Sequence, residues 1–453
     1  MSKVVKLKKG LNISIQGEPS STIVELLSDT YAIKPTDFIG FKKPKVLVKP
    51  GDKVKAGTQL YFDKDLPEVK YTSPVSGEVI EVKRGAQRKL LEIIVKADAD
   101  NAYEEFKQFS VSDLGSLSAD DAKAQILEAG IWPSIIQRPY AVVAKPTDAP
   151  RSIFISCFDS SPLAPDYNLA LKGEDKAFST GVDVLKKFCK DIQLTLNSEA
   201  EISNVFSSVK GVQINKVSGP HPAGNVGIQI HNIAPINKGE IVWTIDPFAV
   251  AQIGKLFIDG KYDATRVITV AGPQVKDPKY IRTKVGANVA TLLKDNLNSD
   301  HVRVVSGNLL TGEKIEKDGF VGYYANTVSV LTEGDDYRVF GSFTPSASRY
   351  SVSRAFGLFS FLNGSSKKYD FDTNINGEHR PFVQSGIMEK VLPMDVLPVY
   401  LLKAILAEDF DEMEALGIYE VAEEDFALCE FVDSSKNEVQ AIIRRGIDLM
   451  LYS

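Results

Sequence analysis

The feature that most constrains this chain is a pair of glycine-punctuated segments. The first is Lys49-Pro50-Gly51-Asp52-Lys53-Val54-Lys55-Ala56-Gly57-Thr58-Gln59-Leu60, and the second is Ser73-Pro74-Val75-Ser76-Gly77-Glu78-Val79. Glycine reaches positive φ without steric cost, so such residues mark tight turns. Around them Val46, Val48, Val69, Tyr71, Val82, Ile93 and Val95 fall in short runs with frequent alternation. Short alternating runs between turn signals predict an all-β unit over residues 1–100, a small barrel or sandwich.

The two segments resemble the hammerhead domains of biotinyl and lipoyl carriers, in which GDxVxxGxxL and (A/S)PxxGxV flank the hairpin that bears a modified lysine. The resemblance implies a barrel-sandwich hybrid. In carriers the lysine stands eight residues before the proline; here Leu66 holds that place beside Pro67, and Lys64 and Lys70 are out of register. The expectation is therefore a hammerhead used for structure alone.

Beyond residue 100 the pattern changes. Residues 101–255 alternate helix and strand: a helix over Asp120–Ala129, strands over Ala141–Ala144 and Ser152–Ser156, a helix over Gly181–Cys189, then strands over Ile192–Leu196 and Gly211–Val217. That order predicts an α/β unit with a parallel sheet. Residues 256–345 give strands over Arg266–Val270, Val302–Val305 and Val328–Leu331 around a helix over Ala287–Leu293, compatible with a β-grasp unit. The polar stretch Asn363–Lys368 reads as a loop. Residues 375–453 read as helical, with one helix in Asp395–Leu406 and a last one opened by a Ser435/Glu438 capping box and lined by Val439, Ile443 and Ile447.

The chain has 453 residues and a formal net charge of -6, which disfavours sequence-independent nucleic-acid binding. Its three cysteines, Cys157, Cys189 and Cys429, are far apart and form no CxxC, so a four-cysteine zinc or iron–sulfur site lacks ligands. No metal site is expected. The N-terminus lacks a continuous apolar h-region, and apolar patches such as Phe356–Leu362 are too short to span a bilayer. These features predict a cytoplasmic chain whose membrane association, if any, goes through a partner. Nucleophile elbows, P-loops and HExxH are absent, so no catalytic residue is assigned. The acidic run Glu423-Glu424-Asp425 reads as solvated helix surface.

One motif stands apart: Ser218-Gly219-Pro220-His221-Pro222-Ala223-Gly224-Asn225-Val226-Gly227, running on to His231. A glycine loop after a strand can hold an anion on backbone amides. Two prolines remove two donors, so a tight structural turn is the competing reading. The ligand-loop candidates are Gly219, His221, Gly224, Gly227 and His231.

The stretch Gly219–His231, with Ile241–Ile245 and Ile253–Phe257 downstream, resembles the NqrA family, the A-type component of the sodium-pumping NADH:quinone oxidoreductases. So do Lys8–Leu11, Phe38–Gly40, Ala271–Val275, Arg303–Gly307 and Leu392–Pro398. The resemblance implies an α+β multidomain chain: a hammerhead over 1–100, a Rossmann-like α/β domain over 101–255, a β-grasp domain of the soluble-ligand-binding (SLBB) type over 256–345 and a helical region over 375–453. It implies a peripheral subunit on the cytoplasmic face of the bacterial inner membrane, within a six-subunit complex that passes electrons from NADH to quinone and exports sodium. FAD, FMN, riboflavin and a 2Fe-2S centre would belong to other subunits, and the main partner would be a flavin-bearing membrane subunit. This chain would carry no redox cofactor, and would be linked to quinone, such as ubiquinone, through access and assembly. The arrangement also looks like the NADH-binding flavin subunit of respiratory complex I; there the helical domain holds a four-cysteine cluster, which Cys429 alone cannot form. Where family members often carry a second cysteine, this chain has Ile418. An NADH- and FMN-binding flavoprotein is the alternative function; a carrier and a ligand-free scaffold are further alternatives.

A quinone needs an apolar slot with a few polar groups aimed at its carbonyls. Two segments have that composition: Phe38, Phe41 and Lys42 in the first, and Trp132, Arg138 and Tyr140 in the second. They make one site only if the fold brings them together.

Overall fold

In the computed structural model, residues 2–110, 113–335, 350–352 and 367–453 are described. The loop expected at Asn363–Lys368 lies outside them as far as residue 366, as does the apolar patch Phe356–Leu362.

The glycine-rich segments fold as their turns require. One sheet orders Thr30–Ile33, Leu90–Ala97, Gly77–Arg84 and Lys53–Val54; a second orders Pro44–Val46, Gln59–Asp63 and Leu66–Thr72. Leu60, Val69, Val79 and Ile93 close the space between them without exposure. A Cβ added at Gly77 would lie 1.9 Å from the Lys96 carbonyl oxygen, so no other residue fits the crossing. At the hairpin tip Leu66 begins the returning strand and packs half-buried on this core, and Lys64 points to solvent.

A seven-stranded sheet forms the centre, in the order Val4–Lys6, Gln213–Ser218, Ile192–Asn197, Ser152–Ser156, Val242–Ile245, Ile135–Arg138 and Val142–Val143. The first five are parallel and the last two are joined by antiparallel pairing, so the expected parallel sheet carries an antiparallel edge. Side chains on Ser152–Ser156 alternate faces, as the pleat dictates. Ile153 and Ile155 join the main core with Phe178 and Val182, whereas Phe154 packs with Ile230 and Ile233 on the other side. On the first face the helices Asp175–Leu185 and Pro247–Asp259 meet glycine to backbone. The first starts six residues earlier than periodicity suggested, because Ala177 and Phe178 belong to the buried face.

A third sheet holds Glu313–Ile315, Val302–Ser306, Thr327–Thr332, Thr265–Ala271, Lys279–Lys284 and Ser20–Glu25. The helix expected over Ala287–Leu293 shrinks to Val289–Leu292, since the Asn288 and Val321 backbones are engaged in cross-links to Thr30 and Ala287. The residues before position 30 thus lend strands to two other sheets: Val4–Lys6 closes an edge of the central sheet, and Ser20–Glu25 closes an edge of this one.

The C-terminal region consists of the helices Met388–Val391, Pro398–Ala407, Phe410–Ala415, Ala427–Val432 and Val439–Tyr452, with short 3-10 turns between them. Their shared core (Leu401, Leu402, Ile405, Met413, Phe426, Ile443) also takes in Leu7, Val217, Ala223 and Ile228 from the central unit. Ile418 and Cys429 are both apolar members of it. The Ser435/Glu438 capping box does not form. Ser435 donates its amide to Asp433 Oδ1 and its hydroxyl to the Pro381 carbonyl, while Glu438 itself sits at the N-cap with no side-chain bond.

Candidate functional site

The strand Gln213–Ser218 delivers the chain into the loop, and the helix Val226–Ile233 takes it out. Gly219 sits at φ +134°, where a Cβ would lie 2.6 Å from the Leu7 carbonyl oxygen. Gly224 faces the loop after Ser152–Ser156: a Cβ there would stand 2.4 Å from the Ser160 amide nitrogen. Gly227 has the Asp425 carboxylate against it, 2.2 Å from where a Cβ would be. Three glycines are therefore required by close approach, each to a different element.

The loop's amides are engaged within the protein. His221 N–H donates to Asn12 Oδ1 (2.8 Å), Ala223 N–H to Pro220 O (3.0 Å), Gly224 N–H to Ser160 Oγ (2.8 Å) and Asn225 N–H to Pro222 O (2.9 Å). Pro220 and Pro222 have none to give. In this conformation residues 220–225 present no backbone donor to an outside anion, and the loop acts as a junction between the N-terminal arm, the central sheet and the helical region.

Both histidines are held. His221 is buried, with Nδ1 3.0 Å from Ser160 Oγ. Since Ser160 Oγ already accepts from Gly224, the consistent assignment has its hydroxyl donating to Nδ1. Burial lowers the His221 pKa from 6.5 to about 4, opposed by a hydrogen bond to the Ser160 backbone. The sign of the pH effect follows from linkage. Between pH 6.5 and about 4 the unfolded chain binds a proton that the folded one refuses, so stability is lost as pH falls through that window. His221→Gln is expected to trail wild type in urea midpoint at pH 7 and to close most of that gap at pH 4.5; a gap constant across the two pH values would exclude the buried neutral imidazole. His231 accepts the Asp395 amide on Nε2 (3.0 Å), which puts its proton on Nδ1, 2.7 Å from Glu420 Oε2. It clamps the helix Val226–Ile233 to the helical region.

Of the acidic run Glu423-Glu424-Asp425, expected on a solvated surface, Asp425 is buried and Glu423 and Glu424 are only half-exposed. Arg138 is buried, with Nη2 2.6 Å from Glu424 Oε1 and Nη1 4.0 Å from Asp425 Oδ2. Glu423 faces Arg444, whose Nη1 donates to the Tyr140 carbonyl at 3.0 Å. Burial works against the Arg138 charge, but the three carboxylates outweigh it and raise its pKa. Burial likewise lifts the Asp425 carboxyl to about 7, against the pull of Arg138. Charge runs look solvated in one dimension; the matching buried cation lies hundreds of positions away, so no local signal could have revealed the pair.

The remaining quinone candidates divide. Trp132 is fully enclosed, its indole N–H bonded to the Ala144 carbonyl at 2.8 Å and its ring edge-on to Trp243 and Phe188. Phe38 is buried among Tyr71, Tyr323 and Tyr324 at centroid distances of 4.5, 4.9 and 5.7 Å. Phe41 is half-buried against Tyr61 and Tyr71, and Tyr140 packs edge-on to Tyr419. Phe38 and Arg138 have no neighbour in common among these contacts. The first segment meets other partners instead, Val142 and the last helix: a Cβ at Gly40 would lie 3.1 Å from Val142 Cγ1 and 4.0 Å from Tyr452 Oη, and Lys42 Nζ sits 3.1 Å over the Tyr452 ring. Ile39 and Tyr452 are exposed beside this seam.

A cleft of about 460 Å³ opens at the carboxyl ends of Ser152–Ser156 and Ile192–Asn197, where ligands of open α/β sheets are commonly held. It is lined by Phe158, Asp159, Ser160, Tyr167, Phe206 and Tyr280 among others, and by none of the ligand or quinone candidates picked from sequence. Ser160 links it to His221.

Three family descriptions match the chain: "NqrA N-terminal barrel-sandwich hybrid domain" over residues 5–98, "NqrA second alpha/beta domain" over 117–262 and "NQRA C-terminal domain", of SLBB type, over 267–317. The A component of the Na(+)-translocating NADH-quinone reductase of Haemophilus influenzae is 36% identical over 449 residues, covering 98% of this chain and 99% of its own. Its namesake from Pasteurella multocida is 35% identical over 448 residues, with the same coverage. A chain of an air-oxidized NAD+-reducing [NiFe]-hydrogenase superposes with a TM-score of 0.37 at 11% identity, covering 82% of this chain and 78% of its own.

Proposed function

The chain belongs to the NqrA family, the A component of Na(+)-translocating NADH-quinone reductases, and from that premise we propose that it serves as the peripheral, cytoplasm-facing subunit of such a sodium pump. It docks on the membrane-embedded part, shapes the access of quinone, and leaves the redox groups to other subunits. The observation that carries this reading is the end-to-end likeness, with 98% of this chain and 99% of the relative aligned. Among the described residues no helix is long and apolar enough to cross a membrane, so in this reading the attachment runs through a partner. The α/β unit is Rossmann-like in this reading, but its glycine loop acts as a structural junction because its amides are already engaged.

Purification from native membranes through a tag on this chain tests the proposal: NADH:quinone reductase activity and the partner subunits are expected to come with it. A stoichiometric flavin band in the isolated chain would favour the flavoprotein alternative and sink the cofactor-free reading.

Quinone approaches along the seam of Ile39, Phe41, Lys42, Val142 and Tyr452, which pairs apolar surface with one cation. A charge-assisted hydrogen bond from the Lys42 ammonium to a quinone carbonyl is worth about 1.5 kcal/mol, and so about tenfold in affinity. Lys42→Ala in the complex is expected to weaken binding of a short-chain quinone analogue by about that factor, and to lower the thermal midpoint only slightly, since Lys42 is exposed and gives up one contact with the Tyr452 ring. Unchanged affinity would remove the seam from the quinone path.

A further inference from the structure

The helix Pro398–Ala407 is apolar on both sides. Val399, Leu401, Leu402 and Ile405 face the core, while Leu397, Tyr400, Leu406 and, just beyond, Phe410 are 52%, 50%, 45% and 39% exposed. A helix that is apolar all round is ordinarily covered all round. Single exposed apolar side chains are unremarkable, but four large ones within fourteen positions concentrate exposed apolar surface on this helix and the start of the next, as interaction sites do.

Charge around the patch narrows the occupant. Its exposed neighbours Asp395, Glu408, Asp409, Asp411 and Glu412 are acidic, and Lys403 is the one exposed cation in the same stretch of sequence. Arg445, from the last helix, is already paired with Glu408. Anionic lipid headgroups would be repelled by such a rim. A second copy would set two acidic rims against each other, which costs association energy. Basic surface is the complement, and loops of membrane proteins that face the cytoplasm carry an excess of Lys and Arg.

We propose that Leu397, Tyr400, Leu406 and Phe410, with their acidic rim, dock a basic amphipathic segment of a membrane-embedded partner subunit. The proposal rests on the pump-subunit reading above and adds to it the surface and the chemistry of the partner. Tyrosine at the centre of an interface is a common hot spot.

The test uses the whole complex. Tyr400→Glu and Leu406→Glu are each expected to lower retention of this chain on the purified complex by about tenfold in a dilution series. The free variants should keep the wild-type thermal midpoint. Asp411→Lys with Glu412→Lys should weaken retention in the same sense and flatten its salt dependence. A benzoylphenylalanine cross-linker at position 400 should land on a membrane-embedded subunit. Should Tyr400→Glu unfold the free chain, Tyr400→Ser takes its place. Retention equal to wild type, cross-links to a second copy, or Tyr400-dependent flotation on phosphatidylglycerol vesicles would each overturn the proposal. If wild type itself brings no partner from the membrane, the pump-subunit reading fails, and this surface fails with it.

Discussion

Gly254→Ala is expected to lower the thermal midpoint by many degrees, and Gly254→Val to prevent the central unit from folding. A Cβ at position 254 would stand 1.7 Å from the Ala177 carbonyl oxygen; reciprocally, a Cβ at Gly181 would stand 1.9 Å from that of Val250. The obstacle in both cases is the backbone of the opposing helix, which cannot rotate away. The helices Asp175–Leu185 and Pro247–Asp259 would have to separate, opening voids among Phe178, Val182, Val250 and Ile253, all fully buried. Overpacking in a core costs about 1–3 kcal/mol even where side chains can yield. Here the loss should reach about 4 kcal/mol or more, in the range reserved for the worst single substitutions. Gly115→Ala is the control, since a Cβ there meets nothing within 4 Å and the residue has no positive φ. A Gly254→Ala midpoint no lower than that of Gly115→Ala would disprove the tight crossing.

The second large effect is expected at the buried pair. Arg138→Met removes the cation and leaves Asp425 buried, with Oδ2 taking only the Ala422 amide at 3.0 Å and Oδ1 without a hydrogen-bond partner. Breaking a buried pair from one side typically costs about 3–5 kcal/mol at a pH where the orphan is ionised. The Asp425 carboxyl already stands at about 7, above its ordinary 3.8. A raised acid keeps its proton in the folded state where the unfolded chain has lost it, so its contribution to stability falls as pH climbs from about 4 towards 7. The cost of Arg138→Met should therefore be large at pH 7.5 and clearly smaller at pH 5.5. Arg138→Met with Asp425→Asn should recover much of the loss at pH 7.5. Urea midpoints at the two pH values decide: an equal loss at both, with no recovery in the double variant, would mean that Arg138 serves by packing alone. This lock holds the helical region onto the central unit, so the single variant should also expose the 384–453 segment to limited proteolysis.

The parts of the architecture that local chemistry dictates could be read from the sequence. Gly57 and Gly77 announce turns because their neighbours demand them, and the strands Ser152–Ser156 and Val302–Ser306 follow from short runs rich in Val, Ile and Phe. Long-range pairing left no such mark. Nothing near Val4 or Ser20 says that their partners are Lys216 and Lys279. Trp132 and Phe38 offered aromatic surface in sequence that the fold consumes in packing, whereas Tyr452, which lies under Lys42 at the seam, drew no attention at the chain's far end. Asp159 and Ser160, which line the cleft, sit in a Phe-Asp-Ser-Ser stretch that matches no motif; only the topology puts it at the carboxyl end of a central strand.

The arm that closes two sheets has a consequence for biosynthesis. The Lys3 amide bonds Asn215 Oδ1 across 212 positions, and the strand Ser20–Glu25 waits for Lys279–Lys284. A ribosome delivers the arm well before its partners; at about 5–20 residues per second the 212 positions between Lys3 and Asn215 alone take roughly 10–40 s. Through that interval the arm is an unpaired strand donor beside nascent sheet edges, the situation in which neighbouring chains exchange strands. Lys3, Lys6, Lys8 and Lys9 surround its first strand with like charge. Like charge disfavours pairing between arms of different nascent chains while their own edges are awaited, and in the finished fold the Lys3 ammonium turns to the Ile233 carbonyl.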